Sequence, residues 1–444
     1  MPPPPAAAPI VTVVPLPPSY RGGTEEYAYR VAARVSRLRP VRVLTTTVRW
    51  DPNAPMLDVG RAEVERLPAR EILERPVLTS RAARHGLREA VRHAGLLHLH
   101  MPFPLVESPV VKAASRARVP SVLTYHMDAM LGGGSPGPLG RAIVHLYRRR
   151  SAVPAIAAAD VVVSNSWGYA EASPVLSRFL TKVRVIRKGV DPRRLGLEKV
   201  RANPGPRPPA VAEAVAPPGR ETILFVGRLV AYKGVPVLLR AFARLRARGR
   251  DAVLLIAGRG PMEGELRQLA RRLGIHDRVA FLGFVPDGQL GDLYRFAGVV
   301  VVPSLGMMES SATALEEAAT CGTPTVGTEL PGAEESIPND GIRGLLIPPG
   351  DDGALAEAIR RMLDAGRPRS PVPLRTWDET VEEYLALYRE LGVDLPKEPD
   401  GRDPLRRIGS PEPVAADVEP EPNLPPPFWV PVPLSPFRGY RATA

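Results

Sequence analysis

The stretch 303–324, PSLGMMESSATALEEAATCGTP, sets two carboxylates, Glu309 and Glu317, eight residues apart around the start of a helical pattern. A strand-like run ends at Pro303, a loop presents Glu309 and Ser310, and a helix runs on through Glu317 to Cys321 and Gly322. On a largely helical path the two acids would stand roughly 12 Å apart. That span suits a sugar held at one end and a ribose at the other. The helix start between them would turn free N–H groups and the positive end of its dipole toward a diphosphate. The plainer alternative makes Glu309 a helix cap and Glu317 a solvated surface side chain.

Three further stretches carry groups of complementary chemistry. In Phe225–Gly234, FVGRLVAYKG, a strand ends at Gly227 and Arg228 and Lys233 follow across a tight turn. A forked guanidinium and a point-charge ammonium both suit a diphosphate, although surface cations at a strand end would look the same. Arg21-Gly22-Gly23-Thr24-Glu25 opens a helix with paired glycines, which let backbone approach an anion or simply make a turn. Leu123–Asp128, LTYHMD, ends a strand with His126, which either faces a cleft mouth or is a satisfied core histidine.

Such groups need a scaffold, and the chain supplies two alternating ones. Short apolar, β-branched runs at Pro9–Val14, Val41–Thr46, Leu96–His100, Ser121–Thr124, Val161–Ser164 and Val183–Ile186 predict buried parallel strands. Helical patterns such as Glu25–Leu38 lie between them. The segment 201–220 has six prolines in 20 residues and no periodicity, so it reads as a linker. The alternation then resumes with strands at Thr222–Gly227, Ala252–Ala257, Val279–Gly283, Val299–Pro303, Pro324–Gly327 and Gly344–Ile347, and with helices at Gly234–Arg248 and around Met262–Leu273. Asp287 is the expected N-cap of a helix over 288–297. The pattern predicts an α/β protein of two doubly wound Rossmann-like domains facing across a cleft, with ligands at the carboxyl ends of the strands. The expected boundaries are a disordered start at 1–8, a first domain at 9–200, the linker at 201–220 and a second domain at 221–375. A last helix at 376–392 would pack back on the first domain, ahead of a Pro-rich disordered tail at 393–444.

Taken in this order, the four stretches resemble the retaining glycosyltransferases of the GT-B fold in glycosyltransferase family 4, the group 1 glycosyl transferases. The residues that carry the likeness are Gly22-Gly23, His126, Gly227-Arg228-Leu229 with Lys233-Gly234, and Glu309 with Glu317 ahead of Gly322-Thr323-Pro324. Connecting pieces at 185–191, 255–261, 279–285 and 345–351 look similar too, so the likeness spans 10–391. The resemblance implies that a hexosyl group moves from a nucleotide-diphosphate sugar, UDP- or GDP-linked, to a glycan, lipid-linked or small-molecule hydroxyl. It also implies roles. Arg228 and Lys233 would neutralise the diphosphate, with backbone N–H groups at Gly23 and at Ser311-Ala312. Glu317 would hold the ribose, Glu309 and His126 the transferred sugar, and the nucleobase would lie near Phe284 and Val285. Neither a metal nor another cofactor is implied. The chain departs from the family with Ser311-Ala312 where Phe-Gly is common, and with Lys188 where Asn usually precedes Gly-Val-Asp.

Composition sets the remaining bounds. The chain has 444 residues, 44% hydrophobic and 24% charged, which is globular. Aromatic residues are 5%, too few for a stacking platform, and no nucleic-acid motif is present. One cysteine precludes an internal disulfide and suits a reducing compartment. The Pro- and Ala-rich start is unlike a signal peptide, so the expected location is the cytoplasm. The net charge of +12 is uneven: residues 1–200 hold 30 Lys+Arg against 15 Asp+Glu, leaving 29 against 32 in the rest. That asymmetry, with the basic amphipathic segment 141–150 (RAIVHLYRRR), suggests a peripheral contact of the first domain with an anionic membrane. Other readings compatible with the architecture are a nucleotide-sugar epimerase and a basic non-catalytic binding protein.

Overall fold

A computed structural model describes residues 8–20, 22–72, 75–128, 137–196, 208, 211, 219–306, 312–335, 337–366 and 375–396. Most of the expected linker and residues 397–444 of the expected tail therefore lie outside the described residues, as do Glu309, Ser310 and Ser311.

The first lobe is built on a seven-stranded parallel sheet. Its strands are β1 (Ile10–Val13), β2 (Val41–Thr46), β3 (Glu63–Leu67), β6 (Leu96–Met101), β7 (Ser121–Tyr125), β8 (Val161–Ser164) and β9 (Val183–Val185), in the order β3-β2-β1-β6-β7-β8-β9. A separate antiparallel hairpin joins β4 (Ala69–Ile72) to β5 (Arg75–Leu78). Helices α1 (Gly23–Val35), α2 (Arg81–Arg92), α3 (Glu107–Arg116), α4 (Pro138–Tyr147), α5 (Val153–Ala158) and α6 (Trp167–Ala172) connect and cover the strands. The second lobe repeats the plan with β10 (Glu221–Val226), α7 (Val235–Ala247), β11 (Ala252–Ala257), α8 (Glu263–Arg272), β12 (Val279–Gly283), α9 (Asp287–Phe296), β13 (Val299–Val301), α10 (Thr313–Thr320), β14 (Thr325–Thr328), β15 (Gly344–Ile347) and α11 (Asp352–Ala365). Its six parallel strands run β12-β11-β10-β13-β14-β15. Every residue of β6, β7, β11 and β13 is buried, as parallel strands covered on both faces must be.

Strand order reverses between β1 and β6 in one sheet and between β10 and β13 in the other. In open α/β sheets the crevice at such a reversal, outside the carboxyl ends of the strands, is where ligands bind. The glycine pair follows β1, and the Arg228–Lys233 turn follows β10.

The last helix, α12 (Trp377–Glu390), is started by a capping box in which Thr376 and Glu379 satisfy each other's backbone N–H. Its Val381, Tyr384, Leu385 and Tyr388 recur at helical spacing and share a core cluster with Ile10, Tyr27, Val31 and Val41 of the first lobe. The outgoing and returning chain segments lie side by side. The Val190 N–H donates to Arg375 O at 2.8 Å, and Trp377 N–H donates to Val190 O at 3.3 Å. Gly189 makes this approach possible, because a Cβ there would stand 2.3 Å from the Thr376 carbonyl.

Two observations differ from the expectations. The strand β3 and the hairpin were not foreseen, because EVERL and AREI are polar and largely exposed and give no apolar pattern. Asp287 does not cap α9; the N-cap is Pro286, and the Asp287 carboxylate faces Arg194 instead, 3.1 Å away. Of the basic run on and after α4, Arg148 turns toward the buried Asp128 at 4.0 Å, while Leu139 and Leu146 are exposed. No described helix is long and apolar enough to cross a membrane.

Candidate functional site

The second lobe's part of the site is assembled by glycines at three strand ends. Gly258 follows β11, and a Cβ on it would lie 1.9 Å from Gly227 O; one on Gly260 would lie 2.3 Å from Leu229 O. Gly234 has φ +69 and would place a Cβ 1.9 Å from Pro303 O. The turn after β10 is thus pressed backbone to backbone against the loop after β13, an approach sealed by Leu305 N–H donating to Tyr232 O at 2.7 Å. Leu229 is fully buried and anchors the turn, leaving Arg228 exposed. The stem of Lys233 runs past Gly227, its Cε 3.8 Å from where a Cβ would be, and its ammonium lies 5.7 Å from the centre of the Tyr232 ring. We expect Gly234→Ala to lose about 2–5 kcal/mol of stability, from the left-handed backbone plus the collision with a carbonyl that cannot swing away. An unchanged Tm would refute this packing.

Helix α10 begins at Ala312, which gives its first turn no side-chain cap. Its opening N–H groups therefore have no side-chain acceptor from the cap, as at helix starts that bind anions. Glu317 lies on the inner side of α10 and is 5% exposed, so it is not the solvated side chain of the plainer alternative. Tyr294 Oη donates to its Oε2 at 2.7 Å, and Arg194 Nη1 stands 3.4 Å from its Oε1. Burial pushes its pKa up, opposed by Arg194 and the Tyr294 hydrogen bond. Arg194 also reaches Glu26 of α1 at 3.2 Å and Asp287 at 3.1 Å, and Arg30 pairs with Asp191 at 2.7 Å. Burial would raise the Glu26 carboxyl, but Lys188, Arg194 and Arg30 bring it down to about 2. This relay of charges joins α1 to α10. Sequence reasoning missed Arg194, since an Arg in the loop GVDPRRL has no spacing that marks it.

In the first lobe, Gly22 is the N-cap of α1 and supplies no side-chain acceptor. Glu25 in the first turn folds back over it, Oε2 lying 2.2 Å from where a Gly22 Cβ would be. His126 stands just past β7, but its ring does not open to solvent: it is 4% exposed. Strand alternation explains this, because Val122 and Thr124 share its face and that face is covered by α1 and α12. His126 Nε2 lies 2.9 Å from His100 Nδ1, the two rings are stacked, and Tyr27 meets His126 edge-on at 5.2 Å. His98 bonds Thr124 Oγ1 and Tyr388 Oη, each at 2.7 Å. Thr124 Oγ1 in turn lies 2.8 Å from Tyr384 Oη. Burial drives His98 and His126 down to about 3 and His100 well below its usual value, so all three are neutral. Phe284 is 57% exposed and Val285 buried, at the carboxyl end of β12. Among the described residues no group of three or more His, Cys, Asp or Glu side chains could hold a metal ion.

Gly22, Gly23, Arg228, Lys233, Ala312 and Phe284 thus all lie at carboxyl ends of strands or the helix starts that follow them, and Glu317 lies one turn into α10. His126 sits behind them in a histidine–tyrosine cluster.

Known proteins match this arrangement over nearly the whole described chain. The family model for Glycosyltransferase Family 4 matches residues 21–194, and that for Glycosyl transferases group 1 matches residues 208–371. A D-inositol 3-phosphate glycosyltransferase of Acidothermus cellulolyticus is 30% identical over 409 residues, covering 83% of this chain and 86% of its own. D-rhamnosyltransferase WbpZ of Pseudomonas aeruginosa is 30% identical over 321 residues, 71% of this chain and 76% of its own. Among solved structures, a sucrose-phosphate synthase from Thermosynechococcus elongatus superposes with a TM-score of 0.60 at 21% identity, over 87% of this chain and 99% of that one. HepE of Anabaena, in complex with UDP and glucose, gives 0.57 at 17% identity over 86% and 95%. Two parallel sheets, each with a reversal of strand order, the Gly-Gly and Gly-Arg-Leu turns that follow β1 and β10, and relatives that align through both lobes place this chain in glycosyltransferase family 4, as an enzyme of the GT-B fold.

Proposed function

We propose that the enzyme transfers a hexosyl group, with retention of configuration, from a UDP- or GDP-sugar to a hydroxyl of a glycan, lipid-linked or small-molecule acceptor. The observation that carries the reading is the convergence of the turn after β10, with Arg228 and Lys233, on the loop that leads into the uncapped start of α10. Two cations and an uncapped helix start supplied by neighbouring loops suit a leaving diphosphate. In this reading the glycosidic bond loosens first and charge gathers on the β-phosphate. Arg228, Lys233 and the α10 start stabilise that charge, the role a metal cation has elsewhere. The acceptor hydroxyl then enters from the face the diphosphate leaves. Glu317 holds the ribose hydroxyls, exchanging the Arg194 contact for them in part, and Glu309 addresses the sugar; His126, buried and bonded to His100, backs the site without meeting the sugar itself.

Support for the donor class comes from HepE, whose structure holds UDP. Support for a hydroxyl acceptor comes from the relative named for inositol 3-phosphate, and support for transfer of a hexosyl-type group from the relative named for rhamnose. A donor that binds only the folded state stabilises it by about 2.7 kcal/mol at a hundred times its Kd. Thermal melts with UDP-, GDP- and ADP-sugars should therefore single out one nucleotide by a rise in Tm. If none of the three raises it, this reading is wrong.

A further inference from the structure

We propose that Glu25 stands where the donor diphosphate binds, opposite Arg228, and takes up one proton from solvent as the diphosphate arrives. The inference rests on the donor reading above and adds a proton to its binding step.

The geometry is unusual for a helix start. An acid in the first turn of a helix ordinarily sits in water and favours the charged form. Glu25 is 5% exposed, and its carboxylate lies against the Gly22 backbone, where a side chain on residue 22 would collide with it. Its carboxylate accepts a hydrogen bond from its own backbone N–H. Among the described residues no cation comes within ion-pair distance of it. The charged and titratable groups that face it come from several elements: Arg228 after β10, Arg75 of β5, Arg49 after β2, Tyr20 before α1, and Tyr29 of α1. Arg49 is already engaged by Glu71 and by Tyr20 Oη. Burial outweighs the pull of these arginines and raises the carboxyl to about 7.

A nucleoside diphosphate drawn to Arg228 and to the N–H group of Gly23 brings at least two negative charges to this place. Two anions crowded in a buried site cannot both stay charged, and the carboxylate is the one that can neutralise. The step is balanced simply: an O–H bond forms on the Glu25 carboxylate, the proton comes from the buffer, and no other covalent bond changes.

The test is calorimetric titration of the full chain with UDP and with GDP at pH 7.5, in two buffers of different ionisation enthalpy. With a carboxyl titrating near 7, about three-quarters of the molecules carry the ionised form, so uptake of roughly 0.5–1 proton per site is expected. The nucleotide's own β-phosphate would release a proton, so the sign alone separates the two sources. At pH 5.5 the uptake should vanish, since Glu25 already holds its proton. Glu25→Gln should abolish the uptake at pH 7.5 and tighten binding about fourfold, because the protonation step is removed. Binding without uptake, or uptake that persists in Glu25→Gln, overturns the proposal and leaves the donor reading standing. Failure of both nucleotides to bind overturns the donor reading and the proposal with it. Should Glu25→Gln not fold, the pH 5.5 and 7.5 titrations of the wild type decide by themselves.

Discussion

Replacing Lys233 with Ala should lower kcat by about 100- to 1,000-fold, the cost of losing one preorganised donor at a developing anion, or about 3–4 kcal/mol. The expectation follows from how tightly the residue is held. Its turn is pinned by Leu229 in the core, by Gly234 in a left-handed conformation against Pro303, and by the Leu305–Tyr232 hydrogen bond. A cation on so constrained a turn loses little entropy when it engages the leaving group, so its contribution should appear in the transition state. The measurement is initial-rate kinetics with saturating donor and acceptor. A loss confined to KM would mean that Lys233 binds donor and transition state alike, and full turnover would remove the mechanism. A Lys233→Arg variant keeps the charge but swaps a compact ammonium for a planar fork, so only partial recovery is expected.

Acid should unfold the protein steeply. His98, His100 and His126 are buried and neutral in the fold. In the unfolded chain each takes a proton near pH 6.5. A depressed folded-state pKa contributes stability that is present above 6.5 and drains away as pH falls toward 3. Glu25 and Glu317 act in the opposite sense. Burial raises both, so the fold gains a proton before the unfolded chain does; for Glu25 that contribution grows as pH falls from about 7 toward 4.5, and Glu317 acts in the same direction. Three protons favouring the unfolded state against one or two favouring the fold leave a net of one to two. The slope is then about 1.4–2.7 kcal/mol per pH unit. Between pH 6.5 and 5.0 this removes about 2–4 kcal/mol, a large share of a typical domain's stability. Urea denaturation at the two pH values measures it. A stability that is flat or rises toward pH 5 would mean that the cluster is hydrated or already charged.

How much of this was legible in the residues depended on whether a signal was local. Val41–Thr46, Val161–Ser164, Ala252–Ala257, Val279–Gly283 and Gly344–Ile347 were expected as strands with the limits the structure gives them, because each is a short apolar run bounded by turn residues. The segment 227–234 announced a tight turn, although not that its glycines press strand ends together. EVERL gave no sign of β3, since an exposed edge strand needs no apolar face. The histidines of LLHLHM could be read only as part of a strand, because what makes them a cluster are Tyr384 and Tyr388, nearly 290 residues away. Arg194 is the same case. Its meaning lies in Glu26, Asp287 and Glu317, three acids brought to it from three helices. Residue types can be read in a line; environments are made by folding.

The return of α12 makes the first lobe a discontinuous domain. Its core draws on Ile10, Tyr27 and Val41 from near the start of the chain and on Val381, Tyr384 and Tyr388 from beyond residue 375, with the whole second lobe threaded between. A ribosome must therefore finish the second lobe before the first can close its core, an inversion of the usual order in which the N-terminal domain matures first. Until then Tyr27 and the alternating histidines of β6 lack the cover that α12 provides. A nascent chain halted short of residue 376 would hold the second lobe beside an unfinished partner.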